Sequence, residues 1–206
     1  MKFNVYELPL ESKLYKLYDV IEVPVQLRVV YPQGKTPAIF ANAEGFAFLE
    51  SIFKIASVSM KENCLIRIKD NSKTVESFHA WYPDSTEFHL DLVIFNHQYT
   101  QISSKKIKRL LMMLDYCKKK IMNIRVPEVH YKNDNWWSLE GELHVNKRSN
   151  FLVISSNSNG YLYMADEADR FCNIEDNEEE YSAHSHLFAL CKEEDLLDFR
   201  YYYEKS

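Results

Sequence analysis

Glycine occurs only four times in this 206-residue chain. Glycine is the residue that reaches positive φ without steric cost, so left-handed backbone is expensive almost everywhere here. No Gly-rich phosphate loop can be built. Gly-x-Gly-x-x-Gly, the Walker lysine loop and Gly-x-Ser-x-Gly are all missing from the sequence. This moves the common nucleotide-dependent enzymes and serine hydrolases down the list, without excluding an enzyme. Turn signals come mainly from Pro, Asn, Asp and Ser: Pro32-Gln33-Gly34, Asp70-Asn71-Ser72, Pro83-Asp84-Ser85 and Asn157-Ser158-Asn159-Gly160.

Between these turns the apolar pattern switches between periods. Residues 20–31 alternate and are Val-rich, which predicts a strand. Pro24 cannot donate to a ladder, so the strand is placed near an edge. Asn42 reads as the N-cap of a helix over 43–58, with Phe46, Leu49, Phe53 and Ala56 forming one stripe. Strands are expected at 64–69, 74–82 and 87–96 as an antiparallel meander. The run Leu90-Asp91-Leu92-Val93-Ile94-Phe95 is the most apolar and is placed centrally. A second helix is expected from Ser103 or Ser104 to Ile121, its apolar arc being Ile107, Leu110, Leu111, Leu114 and Ile121. Strands follow at 129–132, 137–146 and 151–155. Asn159-Gly160 predicts a hairpin returning over 161–164. One helical turn at 167–171, a short buried strand at 186–191 and a last helix at 192–203 complete the pattern.

Apolar residues make up 46% of the chain, enough for a sizeable core. No window approaches 18 apolar residues, so no membrane span is expected, and residues 1–10 lack a signal-peptide pattern. Cys64, Cys117, Cys172 and Cys191 are widely scattered and form no Cys-x-x-Cys pair. They read as reduced, mostly buried thiols of a cytoplasmic protein.

The charge pattern carries the functional signal. From 166 to 180 there are eight acids (Asp166, Glu167, Asp169, Glu175, Asp176, Glu178, Glu179, Glu180) against one base, Arg170. From 105 to 125 there are eight bases (Lys105, Lys106, Lys108, Arg109, Lys118, Lys119, Lys120, Arg125) against one acid, Asp115. The two blocks cancel within a net charge of −5. The plain reading of the acidic block is a solvated loop. The functional reading is a docking surface for a basic protein, in which acids steer association and nearby aromatics such as Tyr181 anchor it. The basic block can pair internally, form a solvated helix face, or grip phosphates; the acidic pI of about 5.8 argues against nucleic acid.

Three other patterns bear chemistry. On a strand, Glu140, Glu142 and His144 point to one face, where two carboxylates and an imidazole suit a divalent metal or acid–base work. The plain reading is an ordinary solvated strand face. His184 and His186 share a side if the segment is extended, without a third ligand at metal-site spacing. Pro83-Asp84 resembles the start of a nuclease motif, but no acid-x-Lys follows it, and turn chemistry accounts for it better.

The expectation is therefore an α+β fold: a largely antiparallel sheet of mixed order, with two longer helices and a C-terminal helix packed against it. It reads as one domain over 1–206, with a second reading that places a boundary near Ser103. The expected function is a non-enzymatic protein-binding module, specifically an immunity or antitoxin-type inhibitor. Its acidic surface, Asp166, Glu167, Asp169, Glu175, Asp176, Glu178, Glu179, Glu180 and Tyr181, would cover a basic partner such as a secreted toxin domain. No cofactor, metal, membrane or nucleic acid is called for. The alternative is a metal-dependent hydrolase or nuclease using Glu140, Glu142 and His144.

Overall fold

The computed structural model describes residues 1–31, 36–71, 90–131, 139, 142–148, 150–172, 174, 184–187, 190 and 197–201. Among them the fold is α+β, with a seven-stranded sheet, a four-stranded sheet and three α-helices. It begins with a hairpin, β1 (Lys2–Leu10) and β2 (Lys13–Val20), in which Leu10 pairs with Lys13. The turn places Glu11 at φ 56°, and Asn63 sits at φ 57° before β5 (Cys64–Ile68). Here non-glycine residues occupy the left-handed region that glycine takes most easily.

The large sheet also contains β6 (Asp91–Asn96), β7 (Lys119–Asn123), β8 (His144–Arg148) and β9 (Phe151–Ser156). Its order is β7-β1-β2-β5-β6-β9-β8. Four of its pairings are antiparallel, and two, β2 with β5 and β6 with β9, are parallel. The apolar strand β6 lies inside the sheet and is buried throughout, as its composition predicts. The second sheet, order β10-β11-β4-β3, is built from β3 (Arg28–Val30), β4 (Ala38–Ala41), β10 (His184–His186) and β11 (Asp198–Tyr201).

Both faces of the large sheet are covered. On one face Tyr6, Leu8, Leu17, Leu65 and Val93 pack with Ile107 and Leu110 of α2 (Ser104–Met113). This contact joins side chains from both sides of Ser103. On the other face Phe3, Ile66 and Ile94 meet α1 (Ala43–Val58) and α3 (Ser158–Cys172). The same cluster takes in Ile39, Phe199 and Tyr201 of the second sheet. Each fully buried Leu or Phe contributes about 1.5–3 kcal/mol. No described helix is long and apolar enough to cross a membrane.

Helices α1 and α3 start with the same device. Asn42 Oδ1 accepts from Gly45 N at 3.0 Å, and Asn157 Oδ1 accepts from Gly160 N at 2.7 Å. Each asparagine satisfies an orphan donor of the first turn. Each glycine lets the turn approach the preceding strand. A Cβ on Gly45 would lie 2.7 Å from Ala41 Cβ, and one on Gly160 would lie 2.1 Å from Ser156 Oγ. Two of the chain's scarce glycines thus serve close packing at helix entrances.

Several expectations are corrected. The expected strand over 20–31 is divided: β2 ends at Val20 and β3 begins at Arg28, with Leu27 N donating to Pro24 O in the turn between them. β3 is an edge strand, as Pro24 suggested. Asn157-Ser158-Asn159-Gly160 caps α3, so the hairpin and the 161–164 strand give way to a helix that continues to Cys172. The second helix ends at Met113, a 3-10 turn follows over Leu114–Tyr116, and Lys119–Asn123 is a strand. Ile121, expected on the buried arc, is exposed there. Residues 129–131 form no strand. Asp198–Tyr201 is strand rather than helix, because Phe199 and Tyr201 alternate into the core while Asp198 and Arg200 take the other face. The expected strand at 74–82 lies outside the described residues.

Candidate functional site

Helix α3 carries the described part of the acidic block. Its residues 166 and 169, three apart, share one side of the helix, and 167 is turned away from them, so their fates differ. Glu167 is only 5% exposed. Its Oε1 lies 2.8 Å from Arg170 Nη1, and its Oε2 accepts from Ser185 Oγ at 2.9 Å. That carboxylate ties α3 to β10 and is turned away from solvent, so Glu167 leaves the open acidic surface expected of it. Asp166 is half-buried and lies 3.5 Å from Arg170 Nη2. Asp169 is exposed. Glu175, Asp176, Glu178, Glu179, Glu180 and Tyr181 lie outside the described residues.

Asp166 and Asp169, three residues apart, border a shallow groove between α3 and α1, too small to hold a side chain. Glu50 and Lys54 form its other wall, and His130 and Tyr131 close it. Tyr131 meets Tyr163 edge to face, with ring centroids 5.6 Å apart. Burial, with Glu167 adding to it, pushes the Tyr163 hydroxyl up to about 12. Lys54 Nζ lies 2.5 Å from Glu50 Oε1, an i,i+4 pair along α1.

At the groove's end the ligand atoms of Glu50, Asp169 and Cys172 lie within 4.8 Å of one another. This set sits in the last turn of α3, where the helix field disfavours negative charge. Burial raises the Cys172 thiol to about 11, with Glu50 and Asp169 pushing the same way. The thiol therefore stays protonated near neutrality and bonds to Ala168 O at 3.3 Å. The arrangement offers two carboxylates to a cation, while a soft metal would first have to remove the thiol proton.

The Glu140–Glu142–His144 expectation is altered. β8 begins at His144, and Glu142 precedes it outside the strand, its N–H bonding to Leu139 O at 3.0 Å. Glu142 and His144 therefore do not alternate along one strand, and Glu140 is outside the described residues. The structure instead brings a third residue to them. His97 Nε2 lies 3.3 Å from Glu142 Oε2, and its ring centroid is 5.4 Å from that of His144. His97 Nδ1 is buried and has no hydrogen-bond partner among the described residues. Burial holds this imidazole below its ordinary value, His144 acts in the same direction and Glu142 opposes. The cluster lies beyond the carboxyl ends of the parallel strands β6 and β9, beside the start of α3. Open sheets commonly place ligand sites there. Sequence spacing carried no signal for His97, since 45 residues separate it from Glu142.

His184 and His186 do share a side of β10, with rings 4.8 Å apart. His186 Nδ1 contacts Asp198 across the β10–β11 pair, and Asp198 Oδ2 accepts from Arg200 Nη2 at 2.6 Å. The guanidinium already supplies positive charge to Asp198, which argues against a cation there.

The basic block divides. In α2, Lys106 and Arg109 reach Glu11 of the hairpin turn at 2.7 and 3.8 Å. An anion from β1–β2 thus offsets the basic first turn of the helix. Lys118, Lys119 and Lys120 lie beyond the helix and are exposed. No protein-family model matches the chain, and no curated protein or solved structure gives a significant match.

Proposed function

We propose that the chain is a non-enzymatic protein-binding module that docks a basic partner against the acidic surface of α3 around Asp166 and Asp169, beside the shallow α1–α3 groove. Its specific form is an immunity or antitoxin-type inhibitor that covers the functional cleft of a basic toxin domain. The observation that carries this reading is the convergence of Glu50 and Asp169 at the C-terminal turn of α3. Lys54 already pairs with Glu50 at 2.5 Å, and the exposed Asp169 beside it carries the acidic surface outward, where it can steer a cationic side chain of a partner. Arg170, the single base in the acidic block, is engaged with Asp166 and Glu167 of its own helix. The chain continues from α3 into a segment with five further acids, Glu175, Asp176, Glu178, Glu179 and Glu180. Tyr131 and Tyr163 supply aromatic anchors beside the charge. The test replaces Asp166, Asp169 and those five acids with Asn, Gln or Ser and compares capture of a partner from native lysate. The module reading expects a salt-sensitive partner that the variant loses. Equal capture with equal salt dependence contradicts it.

A second reading, a hydrolase using Glu142 and His144, is favoured by His97 alone. A largely neutral imidazole paired with a carboxylate is a general-base arrangement. It predicts that His97→Gln abolishes a hydrolytic activity of the full chain while leaving its fold intact. Calorimetric titration with Zn²⁺ and Mn²⁺ checks the metal-dependent form, which predicts stoichiometric binding that Glu142→Gln weakens.

A further inference from the structure

β7 is the outermost strand of the large sheet, paired on one side with β1. Among the described residues nothing pairs with its other side, so alternate N–H and C=O groups face outward along that edge. All five of its residues are exposed. Register places Ile121 opposite Asn4 and Met122 opposite Phe3, so the two side chains lie on opposite faces of the sheet. Ile121 is 65% exposed and Met122 44%. The preceding turn adds Tyr116, 90% exposed, and the end of α2 adds Met112, 66% exposed. Lys118, Lys119 and Lys120 run into and along the strand, and none forms an ion pair among the described residues.

Lysines alone are a familiar guard against edge-to-edge pairing. A guarded edge has no use for exposed apolar side chains on both faces. The combination of an open backbone, a run of cations and flanking Ile, Met and Tyr matches what strand addition requires. Main-chain bonds give affinity, and alternating side chains give specificity. Pairing with a second copy of β7 would bring two lysine runs together, so charge selects a different occupant.

We propose that β7 is a receptor edge that takes an added strand from an extended, acidic segment of a protein partner, in which acids alternate with apolar side chains. This is independent of the reading that docks a partner on α3, since it uses another edge of the molecule and the opposite charge. The experiment uses the full chain, isotope-labelled, and a synthetic peptide alternating Glu and Val. The expected result is chemical-shift change and slowed amide exchange confined to Lys119–Asn123 and their β1 partners. Methylating alternate backbone nitrogens of the peptide, on the edge that would bond β7, should weaken binding by about tenfold or more. Lys119→Glu with Lys120→Glu should weaken it comparably and flatten its salt dependence. These residues are exposed, and a circular dichroism spectrum matching wild type shows that the variant is folded. Three outcomes overturn the proposal. The peptide leaves β7 unperturbed, or the methylated peptide binds equally well, or single-stranded oligothymidylate binds the same amides more tightly than the peptide.

Discussion

Arg170 holds Glu167 at 2.8 Å and withdraws it from solvent, while Asp169, between them in sequence, stays exposed. One acidic run thus performs two jobs on one helix. Glu167→Gln removes a nearly buried charge from a bonded network and leaves Arg170 and Ser185 underpaired. It should cost about 1–3 kcal/mol in urea unfolding. Asp166→Asn and Asp169→Asn should change stability by no more than about 0.5 kcal/mol, because neither is buried.

A second ionic cluster tests the large sheet. Arg67 donates through Nε and Nη2 to Asp91 Oδ2 at 2.9 and 2.6 Å, and Asp91 Oδ1 accepts from Asp70 N at 2.9 Å. Asp91→Ala should therefore destabilise the fold by about 2–4 kcal/mol. Asp19 lies 3.8 Å from Arg67 Nη1. Burial raises its pKa, and Asp91 pushes the same way against Arg67. A carboxyl raised in the fold favours folding when protonated and opposes it once ionised. Asp19→Asn should thus stabilise the protein at pH 7. That advantage should shrink as pH falls through the folded pKa and vanish below the unfolded value of about 3.9, as chemical denaturation at each pH would show.

His97 should titrate below the usual imidazole value of about 6.5, because burial disfavours its charged form. The unfolded state then binds more protons than the native state between the two pKa values. The stability from a neutral His97 is complete above about pH 6.5 and is lost as pH falls through the folded pKa. His97→Gln should flatten that part of the stability–pH curve, and the wild-type ring should show the low midpoint by NMR. An unchanged curve together with an ordinary midpoint contradicts this account of the cluster.

The entrance to α3 gives a sterically defined test. Gly160→Ala brings a Cβ to 2.1 Å from Ser156 Oγ and should cost about 1–3 kcal/mol. Ser156 Oγ has no hydrogen-bond partner among the described residues, so Ser156→Ala removes the obstacle at little cost. The double variant should recover much of the loss in thermal unfolding, with non-additivity as the readout.

These cases show what the chain made legible. The stripe Phe46, Leu49, Phe53, Ala56 and its Asn42 cap lie on α1 as their spacing implies, because burial and capping agree there. At Asn157-Ser158-Asn159-Gly160 local turn chemistry and helix capping use the same residues. Gly160 adopts helical backbone, and the close approach to Ser156 that requires it is a tertiary fact. Ile121 fits a helical arc equally well on paper, but pairing of Lys119–Asn123 with β1 overrides that period. Phe199 and Tyr201 alternate in a stretch too short to distinguish strand from helix by pattern. Of the site, Asp166 and Asp169 were found through charge density. Glu50 and His97 come from distant segments and were invisible without the fold.

The most direct measurement is the association rate of the captured basic partner across a range of ionic strength. It compares wild type, Glu167→Gln, and a variant neutralised at Asp166, Asp169, Glu175, Asp176, Glu178, Glu179 and Glu180. The account predicts a wild-type rate that falls steeply with salt, a closely similar rate for Glu167→Gln, and a rate at least about tenfold lower with a flattened salt slope for the neutralised variant. Identical rates and slopes for wild type and the neutralised variant would contradict it.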